Sequence, residues 1–170
     1  MQGPNAESIF QALFTLLAGS PTDTPPFSKG VAGTDWSGNP IPLTYATRNW
    51  QPPANAVQGQ MPGLYQLDPF KPERDVRTGR GRRRRTLRAL IDLYFNLNTG
   101  TSDAQPWNTI FNNWQQALYN RMSPLDDPGF TIGLPTTVED FGPIMFDYFY
   151  GLRNGTVGLV QCIVEIEVGG

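Results

Sequence analysis

The sequence predicts an α+β fold: a mainly antiparallel or mixed β-sheet with two helices packed on one face, plus long loops and a basic β-arm. Three observations carry that prediction. Two segments, near residues 5–19 and 106–122, repeat apolar residues at helical spacing. Several others alternate apolar and polar residues, most clearly from Leu87 to Leu97. Their order, helix, two strands, long strand, helix and terminal hairpin, places helices on one side of a sheet built from sequence neighbours. At 170 residues the chain reads as a single domain over residues 1–170, long enough to bury a core.

The first helix is "NAESIFQALFTLLAGS". Asn5 suits the N-cap, Glu7 favours the positive end of the helix dipole, and Gly19 before Pro21 is a natural stop. Ile9, Leu13, Leu16 and Leu17 form one stripe, widened by Phe10 and Phe14, so this helix should lie on a sheet or a neighbour. Residues 20–42 are rich in Pro, Gly, Thr and Asp and read as an irregular excursion. Its apolar anchors beyond Thr22 are Phe27, Val31, Trp36 and Ile41, which predicts poor protection in the free protein and ordering against a partner. "LTYATRNW" alternates as a strand over residues 43–49, "QPPANAVQGQMP" is a loop, and "GLYQLDPF" is a short second strand.

In "RTLRALIDLYFNLN", Leu87, Ala89, Ile91, Leu93, Phe95 and Leu97 share one face, expected in the core. Arg88, Leu90, Asp92, Tyr94 and Asn96 share the other, expected to be half exposed. The second helix is "PWNTIFNNWQQALYNRM", with Pro106 in the first turn and Trp107, Ile110, Phe111, Trp114, Leu118 and Met122 at helical spacing. "SPLDDPG" is punctuation. A hairpin closes the chain: "IMFDYFYGL", the turn "RNGT" and "VGLVQCIVEIEV", since Asn-Gly between alternating runs is a strong hairpin signal. On the last strand Val160, Cys162, Val164, Ile166 and Val168 face one way, and Gln161, Glu165 and Glu167 the other. Leu13, Leu17, Ile110, Phe111 and Trp114 should therefore meet Leu93, Phe95, Val164 and Ile166.

Composition narrows the chemistry. Hydrophobic residues make up 39%, and 18 glycines and 16 prolines suggest a modest core with long irregular arms. The chain has no histidine and one cysteine, Cys162, which removes an internal disulfide, a Cys/His zinc site, a Ser-His-Asp triad and a histidine general base. We expect a protein that is not an enzyme and needs neither cofactor nor metal. "DFG" at Asp140, Phe141 and Gly142 matches a kinase triplet by coincidence, for want of a catalytic-loop signature or a Gly-rich nucleotide loop. The sequon Asn154-Gly155-Thr156 is explained by the hairpin turn, and Cys162 reads as a small core hydrophobe. Glu165 and Glu167 read as a solvated or partner-facing edge rather than a catalytic pair. "IFQALFTLLAG" is too short for a bilayer, which needs about 20 residues. Glu7 ahead of it and a first basic residue at Lys29 speak against a signal peptide. A soluble intracellular product with no membrane partner is expected.

The charge is uneven. "RTGRGRRRR", residues 77–85, holds six arginines in nine positions. Between Lys71 and Arg88 nine basic residues face Glu73 and Asp75, a net +7, which leaves −9 for the remainder of a chain whose total is −2. Lys71, Arg74, Arg77, Arg80, Arg82, Arg83, Arg84 and Arg85 are the candidate partner-binding residues, on a basic β-arm over residues 70–86 with the arginines at its tip. Glu165 and Glu167 are the candidate acidic counter-surface. The arm has three readings: contact with an acidic surface of another copy, contact with a DNA backbone, or a solvated loop. It lacks interleaved aromatics for base stacking and a recognition-helix pattern. An acidic body with one basic limb favours contact between protein copies.

Taken in order, "IFQALFTLLAGSP", "TYATRNW" with its Pro-rich connection to "MPGLYQLDPF", "LRALIDLYFNLNTG", "WNTIFNNWQQAL" and "VGLVQCIVEIEV" cover most of the chain. In this order and spacing the chain resembles the tail terminator (tail completion) family of long-tailed bacteriophages. Residues 22–42 and the run of four arginines are departures from that family's compact pattern. The resemblance implies a structural virion protein of the tail or neck, assembled in the host cytoplasm. It implies a six-fold homo-oligomeric ring that caps the tail tube protein, stops its polymerisation and offers a surface to the head-tail connector or stopper protein. DNA passing through the lumen is a further partner. The alternatives are a head-side adaptor or stopper of the neck, and a sequence-independent nucleic-acid-binding protein that uses the arginine arm.

Overall fold

A computed structural model of the chain describes residues 5–19, 27–34, 38–50, 58–70, 74–78, 82–96, 107–122, 138–141, 145–151 and 157–169. At 27–29, 58, 74–78, 82–84, 107–108, 138–141, 145–151 and 168–169 it describes the backbone alone. The elements are α1 (Ala6–Ala18), β1 (Phe27–Thr34), β2 (Pro40–Leu43), β3 (Tyr45–Thr47), β4 (Gly63–Leu67), β5 (Arg74–Thr78), β6 (Arg82–Asn96), α2 (Trp107–Met122), β7 (Val138–Phe141), β8 (Met145–Gly151) and β9 (Val157–Gly169). The fold is α+β, with both helices on one face of a mixed sheet, as the patterning predicts.

Two long strands form the spine. β6 and β9 pair antiparallel from Arg84 opposite Gly169 to Asn96 opposite Val157. Each is flanked on its outer side by two shorter strands laid end to end. Beside β6, β4 pairs with residues 90–94 and β5 with residues 82–86, both antiparallel. Between them the Phe70 N–H donates to the Arg88 carbonyl at 2.8 Å, so the edge follows β6 past Pro69, which has no N–H to donate. Beside β9, β8 pairs with residues 159–163 and β7 with residues 166–168. β3 adds parallel to β4.

The odd positions of β6 and the even positions of β9 form the core face. Leu87, Ala89, Ile91, Leu93, Phe95, Val160, Cys162, Val164 and Ile166 are buried there with Ile9, Leu13 and Leu17 of α1 and Ile110, Phe111, Trp114, Leu118 and Met122 of α2. The helix and sheet residues expected to meet all belong to this one buried cluster. Phe95 lies 5.4 Å from Phe111 and 5.5 Å from Trp114, ring centroid to centroid. α1 begins as its sequence predicts: Asn5 Oδ1 accepts the Glu7 N–H at 3.0 Å, satisfying an otherwise unpaired first-turn donor. It ends at Gly19, whose φ of 98° suits a residue without Cβ.

Three expectations are corrected. The excursion over residues 20–42 is not irregular throughout: β1 and β2 form an antiparallel two-stranded sheet that packs on both helices. Glycine makes this possible, because a Cβ at Gly30 would stand 2.6 Å from the Ala18 carbonyl oxygen and one at Gly33 would stand 2.5 Å from the Trp114 ring. Val31 and Leu43 are buried in the core, so the hairpin is an added layer of this domain. α2 also ties down β1, through Asn113 Nδ2 donating to the Thr34 carbonyl and Arg121 Nη2 to the Gly30 carbonyl, each at 2.8 Å. Trp36 lies outside the described residues. The strand expected over residues 43–49 is divided at Thr44, with β2 and β3 entering different sheets.

The third correction concerns the second face of β6. Asp92 and Tyr94 are both fully buried and Leu90 is 6% exposed, where half exposure was expected. Tyr65, Tyr94, Val157 and Leu159 form a second cluster there, covered by Tyr45, Trp50 and Met61. Tyr65 and Tyr94 meet edge to face at 5.2 Å. No helix among the described residues is long and apolar enough to cross a membrane.

Candidate functional site

The basic arm is a β-hairpin that continues the central sheet past its end. Residues 79–81, which join its strands, and Lys71 lie outside the described residues, so Arg80 and Lys71 receive no placement. Arg74 and Arg77 stand on β5, and Arg82, Arg83, Arg84 and Arg85 open β6. The four consecutive arginines are therefore strand residues rather than the tip of a loop. The reason is pairing: Val76, Thr78 and Thr86 favour strand, and β6 extends its ladder from the apolar segment straight into the basic one.

The register sets the electrostatics of the arm. Asp75 faces Arg85, Val76 faces Arg84, Arg77 faces Arg83 and Thr78 faces Arg82. The register thus sets one opposite-charge pair and one like-charge pair across the ladder. Pairing with β9 begins at Arg84, so Arg82 and Arg83 run past the last paired residue of that strand. The arm thus overhangs the sheet at one end.

Of the two residues expected as an acidic counter-surface, Glu165 has a partner within its own chain. Arg88 sits opposite Glu165 in the β6–β9 register, and its Nε donates to Glu165 Oε1 at 2.8 Å. Glu165 is engaged within its own chain because cross-strand register places a guanidinium beside it. Glu167 stands between Thr86 on β6 and Asp140 on β7. Asp140 belongs to a strand that the sequence reading did not foresee, in the segment dismissed as a coincidental "DFG". Its neighbour Glu139 falls at a register shift between Val138 and Asp140. The alternation in "TTVEDF" is too short to have announced a strand.

Two further polar sites escaped the sequence reading. Arg48 clamps α1 to the sheet: Nη1 donates to Glu7 Oε1 at 2.6 Å and to Gln11 Oε1 at 2.9 Å, while Nε donates to Asp68 Oδ2 at 3.0 Å. Gln66, fully buried, donates to the Phe10 carbonyl at 2.9 Å and to Asp68 Oδ2 at 2.8 Å. The Arg48 guanidinium holds the Glu7 carboxyl below its ordinary range, by hydrogen bonding first and by charge second. Arg48 itself is held protonated by the same partners.

Asp92 is the other. Burial pushes its carboxyl up to about 6, against the opposing effect of hydrogen bonds from Trp50, Gln161 and Tyr94. The Trp50 Nε1–H donates to Asp92 Oδ2 at 2.6 Å. The only hint in the sequence was an acidic residue between Leu90 and Tyr94 on an alternating strand, a pattern that suits a wet face equally well. Cys162 is buried at the sheet centre and its thiol is pushed up by that burial, consistent with a core hydrophobe. Among the described residues no three His, Cys, Asp or Glu side chains come together as a metal site.

Compared with known proteins, the chain matches no protein-family model and no curated protein. The chemistry on offer at the arm is cationic contact: arginines carried on two paired strands at the end of a sheet. Its natural counterparts are carboxylates of a protein surface or phosphates.

Proposed function

We propose that the chain is a structural protein of a bacteriophage tail that assembles as a six-fold ring, caps the tail tube, stops its growth and presents the surface that joins the head. The observation that supports this reading is the element series itself. Helix, short strands, long strand, helix and long final strand follow one another in the order that the resemblance to tail terminators implies, with residues 22–42 and the arginine run as departures from it. In this reading the arm is the contact limb. It extends from an otherwise acidic body and so complements a neighbouring copy or the tube rim.

Gold-labelled antibody against the chain, applied to assembled tails with and without heads, tests the reading. Label confined to the head-proximal end of the tube is expected. Label on the head side after heads and tails are separated would assign the chain to an adaptor or stopper ring of the neck instead.

The concentration of six arginines in residues 77–85 favours one second reading, sequence-independent binding to nucleic acid, because phosphates are natural partners of such a block. A gel shift with random duplex across a salt series separates the two. Tight, strongly salt-dependent binding by a chain that forms no ring would support the second reading over the first.

A further inference from the structure

The sheet has two outer edges at the end that carries the arm, and they differ in charge. Reading across it in register, Arg74 of β5 faces Thr86 of β6, Thr86 faces Glu167 of β9, and Glu167 faces Asp140 of β7. One row therefore runs from a cation on one edge to two carboxylates at the other. β5 adds Arg77 and lies against Arg82, Arg83, Arg84 and Arg85, while β7 adds Glu139. Among the described residues neither β5 nor β7 has a strand on its outer side. Among the described residues both are therefore edge strands, whose outer backbone N–H and C=O groups have no ladder partner.

We propose that β5 of one copy pairs with β7 of the next, so that the central sheets of neighbouring copies join edge to edge. The inference rests on the ring reading above and names the surfaces that would meet. Three features of the geometry support it. The strands β5, β6, β9 and β7 alternate in direction, so a second copy turned about an axis along the strands brings its β5 antiparallel to β7. Charge selects the partner, because β5 against β5 sets arginines on arginines and β7 against β7 sets carboxylates on carboxylates. A contact between two different edges of the same molecule is also head-to-tail, the type that closes into a ring when the rotation fits.

The interface also gives the arginine ladder a role that Glu165, held by Arg88, does not fill. In the joined sheet the β7 segment that carries Glu139 and Asp140 would run alongside the β5 segment that carries Arg74 and Arg77.

Charge exchange between the two edges tests this with full-length protein. One variant carries Glu139→Lys and Asp140→Lys, the other Arg74→Glu and Arg77→Glu. Circular dichroism and thermal melting confirm that each is folded, and sedimentation equilibrium at low ionic strength reads the assembly state. Wild type should form a closed oligomer. Each variant alone should associate roughly a hundredfold more weakly, because like charges then meet at every contact. An equimolar mixture should assemble again, with the two variants alternating around an even-numbered ring. A chain carrying all four exchanges should assemble by itself, which gives the same answer if one of the other variants does not fold. Wild-type-like assembly of both variants would overturn the edge pairing and leave the ring reading standing. Folded variants that stay apart when mixed would do the same. A wild-type chain that remains monomeric throughout would overturn both.

Discussion

Trp114 lies where the two helices, the sheet and the β1–β2 hairpin meet, fully buried, with its ring against Phe95 and under the bare Cα of Gly33. Trp114→Ala should cost about 3–5 kcal/mol, as removal of a large buried aromatic does, and urea unfolding followed by circular dichroism measures it. An unchanged midpoint would remove Trp114 from the core. Asp92 gives a prediction of a different kind. Its native carboxyl holds a proton up to about pH 6, whereas an unfolded aspartate releases one near 3.8. The native state therefore binds more protons than the unfolded state between these values, and stability falls as pH rises through that window. Above pH 6 the loss is complete, at about 3 kcal/mol for a gap of about two pH units. Asp92→Asn, which keeps an oxygen for the Trp50 N–H, should flatten the slope and unfold later than wild type at pH 7. Parallel pH dependence in both proteins would contradict this. Trp114 was legible from its helical spacing, but Asp92 was not. Alternation reports which face a residue lies on, and says nothing about a Trp 42 positions earlier that covers that face.

Helices and central strands were legible because each carries its own period and its own caps: Asn5 and Gly19 for α1, and the alternation for β6 and β9. The β1–β2 hairpin was hidden because glycine and proline, which ordinarily signal loops, serve close approach here. Gly30 and Gly33 let β1 lie on the helices, and Pro40 and Pro42 pair opposite Thr34 and Ala32 on a strand whose prolines donate no hydrogen bond. The segment over residues 27–43 should therefore resist limited proteolysis in the free protein as well as in assembled tails. Cleavage there that disappears on assembly would return the segment to a partner-ordered loop. The arginine arm was legible as a limb and illegible as a ladder, since composition gives its charge and only register reveals Arg77 facing Arg83. Replacing Arg82, Arg83, Arg84 and Arg85 with glutamate should leave the domain folded, because none of the four is among the described residues of the buried core cluster of helices and sheet. Assembly should fail, and glutamine at the same positions should impair it less, since it removes attraction without adding repulsion. Intact, capped tails from the glutamate variant would leave the arginines to DNA.

As a molecule the chain is polarised: nine basic residues between Lys71 and Arg88, and a net −9 elsewhere. Assembly driven by such complementarity should weaken as added salt shortens the Debye length, from about 10 Å at 0.1 M to about 3 Å at 1 M. In the proposed reading one oligomer closes a growing tube, and the β5 and β7 edges would supply the head-to-tail contact that builds it. The most direct measurement is the length distribution of tail tubes grown from their tube protein with and without this chain. The account predicts tubes that stop at a set length, each with a closed ring at one end, when the chain is present, and overgrown tubes of scattered length when it is absent. Identical distributions with and without the chain would contradict it.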